Sequence, residues 1–345
     1  MAPPRARAPR PRTRGAQARR GPQGARAAPA GRRRGRDLLR RRAAHVARAP
    51  EGLVRALEEA RAAQVAADRR DRDPVRFVHL QRRAEDREIV ALLASSLAFG
   101  NVRTILTKVA EALDRLGPSP ARAAGDLPRL LTKLEGFRHR IYAGADVARL
   151  LHGARVVQRA NGSLGVAFSR ALSGVSGGAP PSREHMQEAL ARFCDEIRVA
   201  GGLGKSHLLP DPRAGSTVKR LLLFVRWMAR PADGIDLGLW DVPTSALVIP
   251  VDTHVHKLAK NLGLTRRGDA SYATALEITA SLATLDPADP VRFDFPLCHL
   301  GMLQRCPSRR DPLRCDGCGV LPLCRHWRGR GAGARNNRVT SARGP

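Results

Sequence analysis

The segment Ile249-Pro250-Val251-Asp252-Thr253-His254-Val255 opens a helix, and the spacing of Val251, Val255, Leu258 and Leu262 carries it to about Leu262. Those four residues form one apolar stripe. Asp252 then falls at the helix start, where free N–H groups and the helix dipole favour a carboxylate. The same helical period extends outward on both sides. It is present over 51–66 in Leu53, Val54, Leu57, Ala60 and Val65, and over 85–99 in Ile89, Leu92, Leu93, Leu97 and Phe99. Gly100 ends the second of these, and Asn101 is placed to cap the next, Val102–Leu116. Further helices are predicted over 146–159, 165–173 and 182–199. Asp289 before Pro290 reads as an N-cap with proline at the first helical position. Alternating strand patterns are scarce and no repeat has a fixed period. The fold class expected is all-α.

The composition narrows the partners. The chain has 345 residues, 43% hydrophobic, which is enough for a large core and too apolar for a wholly disordered chain. The formal net charge is +30, which points to a polyanion such as nucleic acid. Aromatic residues are only 4%, which argues against a single-strand stacking platform. No run of about 18 apolar residues is present, so no membrane span is expected. Residues 1–50 hold 16 Arg against one acid, Asp37. The other 295 residues still carry about +15, so the body is basic in its own right. Residues 1–36 are Arg, Pro, Ala and Gly without apolar periodicity and read as a disordered arm. That arm is either a DNA-binding element or an extension with weak affinity for anions. Pro3, Pro4, Pro9 and Pro11 oppose the amphipathic helix of a transit peptide.

Four of the six cysteines fall near the end as C-x8-C-x2-C-x5-C: Cys306, Cys315, Cys318 and Cys324. Four soft thiolates within 19 residues can close around an iron–sulfur cluster or zinc. Zinc ribbons usually bring two C-x2-C pairs, and this loop has one, so a 4Fe-4S cluster is the expectation and zinc the alternative. Nothing marks the chain as secreted, which argues against disulfides. Arg309, Arg310 and Arg314 make the loop basic and suited to phosphate contact. Cys194 and Cys298 lie on apolar helix faces and read as core.

Asp252-Thr253-His254-Val255, followed by Lys257-Leu258 and Asn261-Leu262-Gly263-Leu264, resembles the catalytic aspartate segment of endonuclease III and of the helix-hairpin-helix DNA glycosylase superfamily. The cysteine loop resembles that enzyme's iron–sulfur loop, with a longer first gap here. Other stretches look like a divergent bacterial family of conserved proteins of unestablished function. These are Glu85-Asp86-Arg87-Glu88-Ile89, Asp236-Leu237-Gly238-Leu239-Trp240 and Asp289-Pro290-Val291-Arg292-Phe293-Asp294-Phe295. The resemblance implies a glycosylase-like two-part helical fold with a C-terminal four-cysteine metal loop. Its expected parts are an arm over 1–36, an N-terminal helical region over 37–215, a catalytic helical region over 216–304, the cysteine loop over 305–328 and a disordered tail over 329–345.

The resemblance also implies roles. Asp252 would stabilise positive charge on the sugar, and a lysine upstream would attack C1′. Lys219, 33 positions before Asp252, is the candidate nucleophile. If it is not the nucleophile, Asp252 would activate water instead. The hairpin that precedes this lysine in the family is replaced here by Leu209-Pro210-Asp211-Pro212-Arg213-Ala214-Gly215-Ser216, which weakens its case as a phosphate binder. Lys205 in Gly204-Lys205-Ser206 mimics the end of a P-loop, but Val199 stands where the first glycine is required. Arg220, Arg226, His254, Lys257, Arg309, Arg310 and Arg314 are the expected DNA contacts. Trp227, Trp240 and Phe295 are candidates for a base pocket, although aromatics at helical spacing are more often core. The expected function is a base-excision DNA glycosylase, with or without AP-lyase activity, acting on double-stranded DNA, damaged or not, in the bacterial cytoplasm, with the oligomeric state open and a monomer favoured. The alternative is a non-catalytic iron–sulfur protein that binds nucleic acid.

Overall fold

A computed structural model describes residues 48–62, 66–303, 306–307 and 309–328, all within a single unit. The arm expected over 1–36 and the tail over 329–345 lie outside the described residues. The protein is predominantly helical. The longer helices are α1 (Leu53–Ala62), α2 (Ala84–Leu97), α3 (Val102–Leu116), α4 (Gly144–Asn161), α5 (Leu164–Ser176), α6 (Met186–Gly201), α7 (Lys219–Ala229), α8 (Thr253–Leu262), α9 (Tyr272–Leu282) and α10 (Asp294–Leu303). Among the described residues, strand structure is confined to a short antiparallel hairpin, β1 (Arg138–His139) with β2 (Tyr142–Ala143), and isolated bridges. No described helix is long and apolar enough to cross a membrane.

Local chemistry sets several boundaries. Asn101 accepts from the N–H groups of Arg103 and Thr104, and so opens α3 as its position predicts. Ser163 caps α5 through the Val166 N–H. Asp289 behaves differently from its N-cap reading. It makes no cap bond, and Pro290–Phe293 is a 3-10 turn ahead of α10. The reason is a stronger partner: both Asp289 carboxylate oxygens accept from Arg230.

The helices pack in two groups joined by α7. In the first, α4 lies against α6, and α5 rests on both. The α4–α6 approach is close because Gly153 and Gly201 face each other; a Cβ on either would meet backbone of the opposite helix. In the second, α10 packs on α8 and on α1. Helix α7 packs against α2, which also touches α4. One apolar core runs through both groups.

A buried carboxylate holds the first group together. Glu88 on α2 is 4% exposed. It accepts from Gln158 Nε2 of α4 at 2.6 Å, from the Leu164 and Gly165 N–H groups at the start of α5, and from Trp240 Nε1 at 2.8 Å. An acid at a helix N-terminus with four donors is well satisfied despite burial. Trp240 in turn stacks on Phe168 and meets Phe224 edge-on. Replacing Glu88 by Ala strands four buried donors. We expect E88A to lose at least about 3 kcal/mol of unfolding free energy in urea. A loss below about 1 kcal/mol would show that Glu88 does not organise this group.

Candidate functional site

Helix α7 begins under strain. Val218, buried and β-branched, sits at φ +42°, in the left-handed region that such residues avoid. Its carbonyl nevertheless accepts from the N–H groups of Leu221 and Leu222 and starts the helix. Lys219 is the first helical residue after this turn. Across from it, Asp252 caps α8 as its sequence position predicts. Asp252 Oδ1 accepts from the N–H groups of His254 and Val255, each at 2.9 Å. Asp252 Oδ2 faces the other way and accepts from Lys219 Nζ at 2.8 Å. The two side chains are 33% and 19% exposed, so the pair is reachable from solvent.

Each group shifts the other. Burial opposes the Lys219 ammonium, but the Asp252 charge outweighs it and the pKa ends above the ordinary lysine value. Burial likewise pushes the Asp252 carboxyl up, and Lys219 with the helix N–H groups pulls it below the usual carboxylate range. The resting pair is therefore ammonium and carboxylate. Asp294, on α10, is buried close enough to feel both charges. Burial pushes its carboxyl up to about 6, against the pull of Arg226. Gly301, also on α10, packs on His254, so α10 backs the start of α8.

Several expected DNA contacts are placed differently. Arg226 is 3% exposed and lies in the interior, bound to Asp236 and Asp294. It cannot reach DNA from there. Its neighbour on the same helix face, Arg230, binds Asp233, Asp236 and Asp289. Arg220 donates to the Ser96 and His207 carbonyls and covers the Tyr142 ring at 5.6 Å. The base-pocket candidates also separate. Trp227 and Trp240 are 1% and 5% exposed and belong to the core. Phe295 is half-buried beneath Arg69, at a cavity it shares with Arg61, Arg230 and Arg292. His254 is exposed beside Asp252, and Lys257 is half-buried one turn further on. Arg309, Arg310 and Arg314 are all exposed.

The altered hairpin segment forms a 3-10 turn, Pro212–Ala214, which Asp211 caps. Arg213 in it is held by Glu188 and Asp195. Lys205 is exposed on a nearby turn.

The four cysteines of the C-terminal loop, Cys306, Cys315, Cys318 and Cys324, line one narrow cavity. Among the described residues, no group of three or more His, Cys, Asp or Glu side chains is gathered so as to hold a metal ion. Burial pushes the Cys306 and Cys318 thiols up, while the Asn261 amide and the Val320 N–H oppose this. The other two cysteines behave as core thiols: burial raises both to about 12, Cys194 within α6 and Cys298 on α10. Asn261, in the last turn of α8, touches the loop directly and was not singled out by spacing. Asp294 was missed for the same reason: a polar residue inside an apolar run carries no periodic signal of its own.

A family model described as a protein of unknown function, DUF2400, matches residues 73–303. The chain belongs to that family. The match includes Lys219 and Asp252 and stops short of Cys306. No curated protein and no solved structure matches the chain.

The ion pair predicts a pH signature. Asn at position 252 keeps the N-cap acceptor and removes the charge. The folded Asp252 pKa is depressed, so its stabilisation is present above the unfolded value of about 3.9 and is lost as pH falls through the lower folded value. Lys219 is raised, so its share persists below about 10.4 and fades as pH climbs past the folded value. The wild-type advantage over D252N in urea unfolding should therefore be constant near neutrality and shrink below about pH 4. An advantage that stays constant down to pH 2 would refute the pairing.

Proposed function

We propose that this chain is a DNA glycosylase of the helix-hairpin-helix type, with lyase chemistry, acting on a damaged base extruded from duplex DNA. The observation that carries this reading is the 2.8 Å contact between Lys219 Nζ and Asp252 Oδ2. The two residues are 33 positions apart in sequence, and the fold brings them together at a solvent-reachable edge. In the reaction, the bound nucleotide excludes water from the pair, which favours its neutral form, and Asp252 takes a proton from the Lys219 ammonium through that contact. The free amine then attacks C1′ of the extruded nucleotide, and the C1′–N bond breaks as the base departs with its electron pair and takes the proton held by Asp252. Asp252 next removes a proton from the substituted amine and passes it to the ring oxygen as the nitrogen lone pair displaces that oxygen from C1′, which leaves a protonated Schiff base on Lys219. The helix N–H groups on Oδ1 hold the carboxylate in place while its other oxygen works.

The exposed side chains of His254, Arg309, Arg310 and Arg314, with Lys257, give the backbone phosphates their partners. The residues that would hold an iron–sulfur cluster are Cys306, Cys315, Cys318 and Cys324. Such a cluster cross-links the loop and adds a redox-active centre. Four thiols lining one cavity supply the soft donor set that such a cluster, or zinc, takes.

A second reading has one observation in its favour. The turn over Pro212–Ala214 presents Asp211 and a paired Arg213 where the family's hairpin would bind phosphate. A non-catalytic nucleic-acid-binding protein on this scaffold would tolerate that change. The two readings diverge for D252N on damaged duplex DNA. The glycosylase reading predicts that base release falls by roughly 10²–10³-fold while salt-dependent binding is kept. Absence of base release by wild type from a panel of oxidised, deaminated and alkylated duplexes would leave the binding-protein reading. Independently, the protein purified without air should be brown, with iron and sulfide in near-equal amounts. A colourless, zinc-loaded protein would overturn the cluster.

A further inference from the structure

Helix α8 carries a functional group at each end. Asp252 sits at its N-cap, and Asn261 lies nine residues on in its last turn, 2% exposed. Every polar atom of Asn261's side chain, and its backbone carbonyl, is spent on the cysteine loop. Asn261 Nδ2 donates to Cys306 Sγ at 3.3 Å and to the Pro307 carbonyl at 3.3 Å. His326 Nε2 meets Asn261 Oδ1 at 3.1 Å. If that bond has the imidazole as donor, it fixes which end of the amide faces the sulfur, because only the NH₂ end can then point at Cys306. The Arg325 N–H closes on the Asn261 carbonyl at 2.8 Å. These contacts reach both edges of the loop, beside its first cysteine and just after its last. No other described side chain donates to the Cys306 sulfur.

Asparagine is poorly suited to a buried helix interior unless its amide is fully used. Here it is used on a single neighbour. Leu258, Leu300 and Val320 surround the same cavity. Among these apolar neighbours the amide is accounted for by its polar partners, the Cys306 sulfur, the Pro307 carbonyl and the His326 ring. Hydrogen bonds to ligand sulfurs are among the factors that set the potential of an iron–sulfur cluster and orient its ligands.

We propose that Asn261 is a positioning residue that donates to the Cys306 thiolate of the loop's metal centre and ties that centre to the helix presenting Asp252. This inference rests on the cluster reading above. Reduction adds negative charge to the cluster and its thiolates, and an N–H aimed at one sulfur stabilises that added charge. Removing the donor must lower the reduction potential.

The test uses the full chain, purified without air, in three forms: wild type, Asn261→Asp and Asn261→Ser. Asp keeps the shape and the acceptor toward His326 but turns the donor into a carboxylate. Ser keeps a small donor. Spectroelectrochemistry reads the one-electron couple, an iron assay reads occupancy, and circular dichroism reads helix content. The proposal expects N261D to move the redox equilibrium at least tenfold toward the oxidised form, about 59 mV. It also expects faster iron loss at unchanged helix content, with N261S in between. If N261D sheds its iron too quickly for a potential, N261S supplies the measurement, and its potential must still fall. Wild-type potential and iron retention in both variants would overturn Asn261's role and leave the cluster reading intact. An iron-free wild type would overturn the cluster reading and this inference together.

Discussion

One carboxylate, shared between two duties, fixes the arrangement on which the rest depends. Asp252 gives one oxygen to the N-terminus of α8 and the other to Lys219 at the start of α7. The first duty locks the rotamer, and the second draws α7 and α8 to a common edge. Neither helix could supply the pair alone. The strained turn at Val218 is consistent with this constraint, since it aims the first residue of α7 at α8. Beneath the pair, Arg226 and Arg230 bind four aspartates, the buried Asp236 and Asp294 and the half-buried Asp233 and Asp289. That network anchors α7 to the turn before α10 and to α10 itself. It holds the ion pair from below with interactions that salt screens weakly.

Much of this was legible in the residues. The helical period of α2, α3 and α8 is plain, and so are the caps at Asn101 and Asp252, because short-range rules decide them. The expectation that Cys194 is a core thiol also followed from its apolar helix face. What the residues concealed was the direction of side chains on helices apolar nearly all round. Trp227 and Arg226 are adjacent on α7 and both are buried, one by core packing and the other by two carboxylates from distant segments. No local pattern shows that an arginine will find such partners. Asp289 illustrates the converse: the local rule made it a cap, and a long-range guanidinium claimed it.

The C-terminal loop adds a different layer. Its basic residues stay exposed while its thiols turn inward around one cavity. The proposed phosphate contacts and the proposed cluster would both need this separation of charge from sulfur. The family match ends before this loop, so the Lys219–Asp252 pair and the cysteines are distinct sequence features that the fold places at the two ends of α8. Asn261 is the physical link between them.

The most direct measurement is borohydride trapping on damaged duplex DNA, followed by digestion and mass spectrometry of the linked peptide. A nucleophilic Lys219 gives a covalent adduct on the peptide that contains it, absent from Lys219→Arg and much reduced in D252N. An adduct on another lysine, or base release with no adduct at all, would contradict a nucleophilic Lys219.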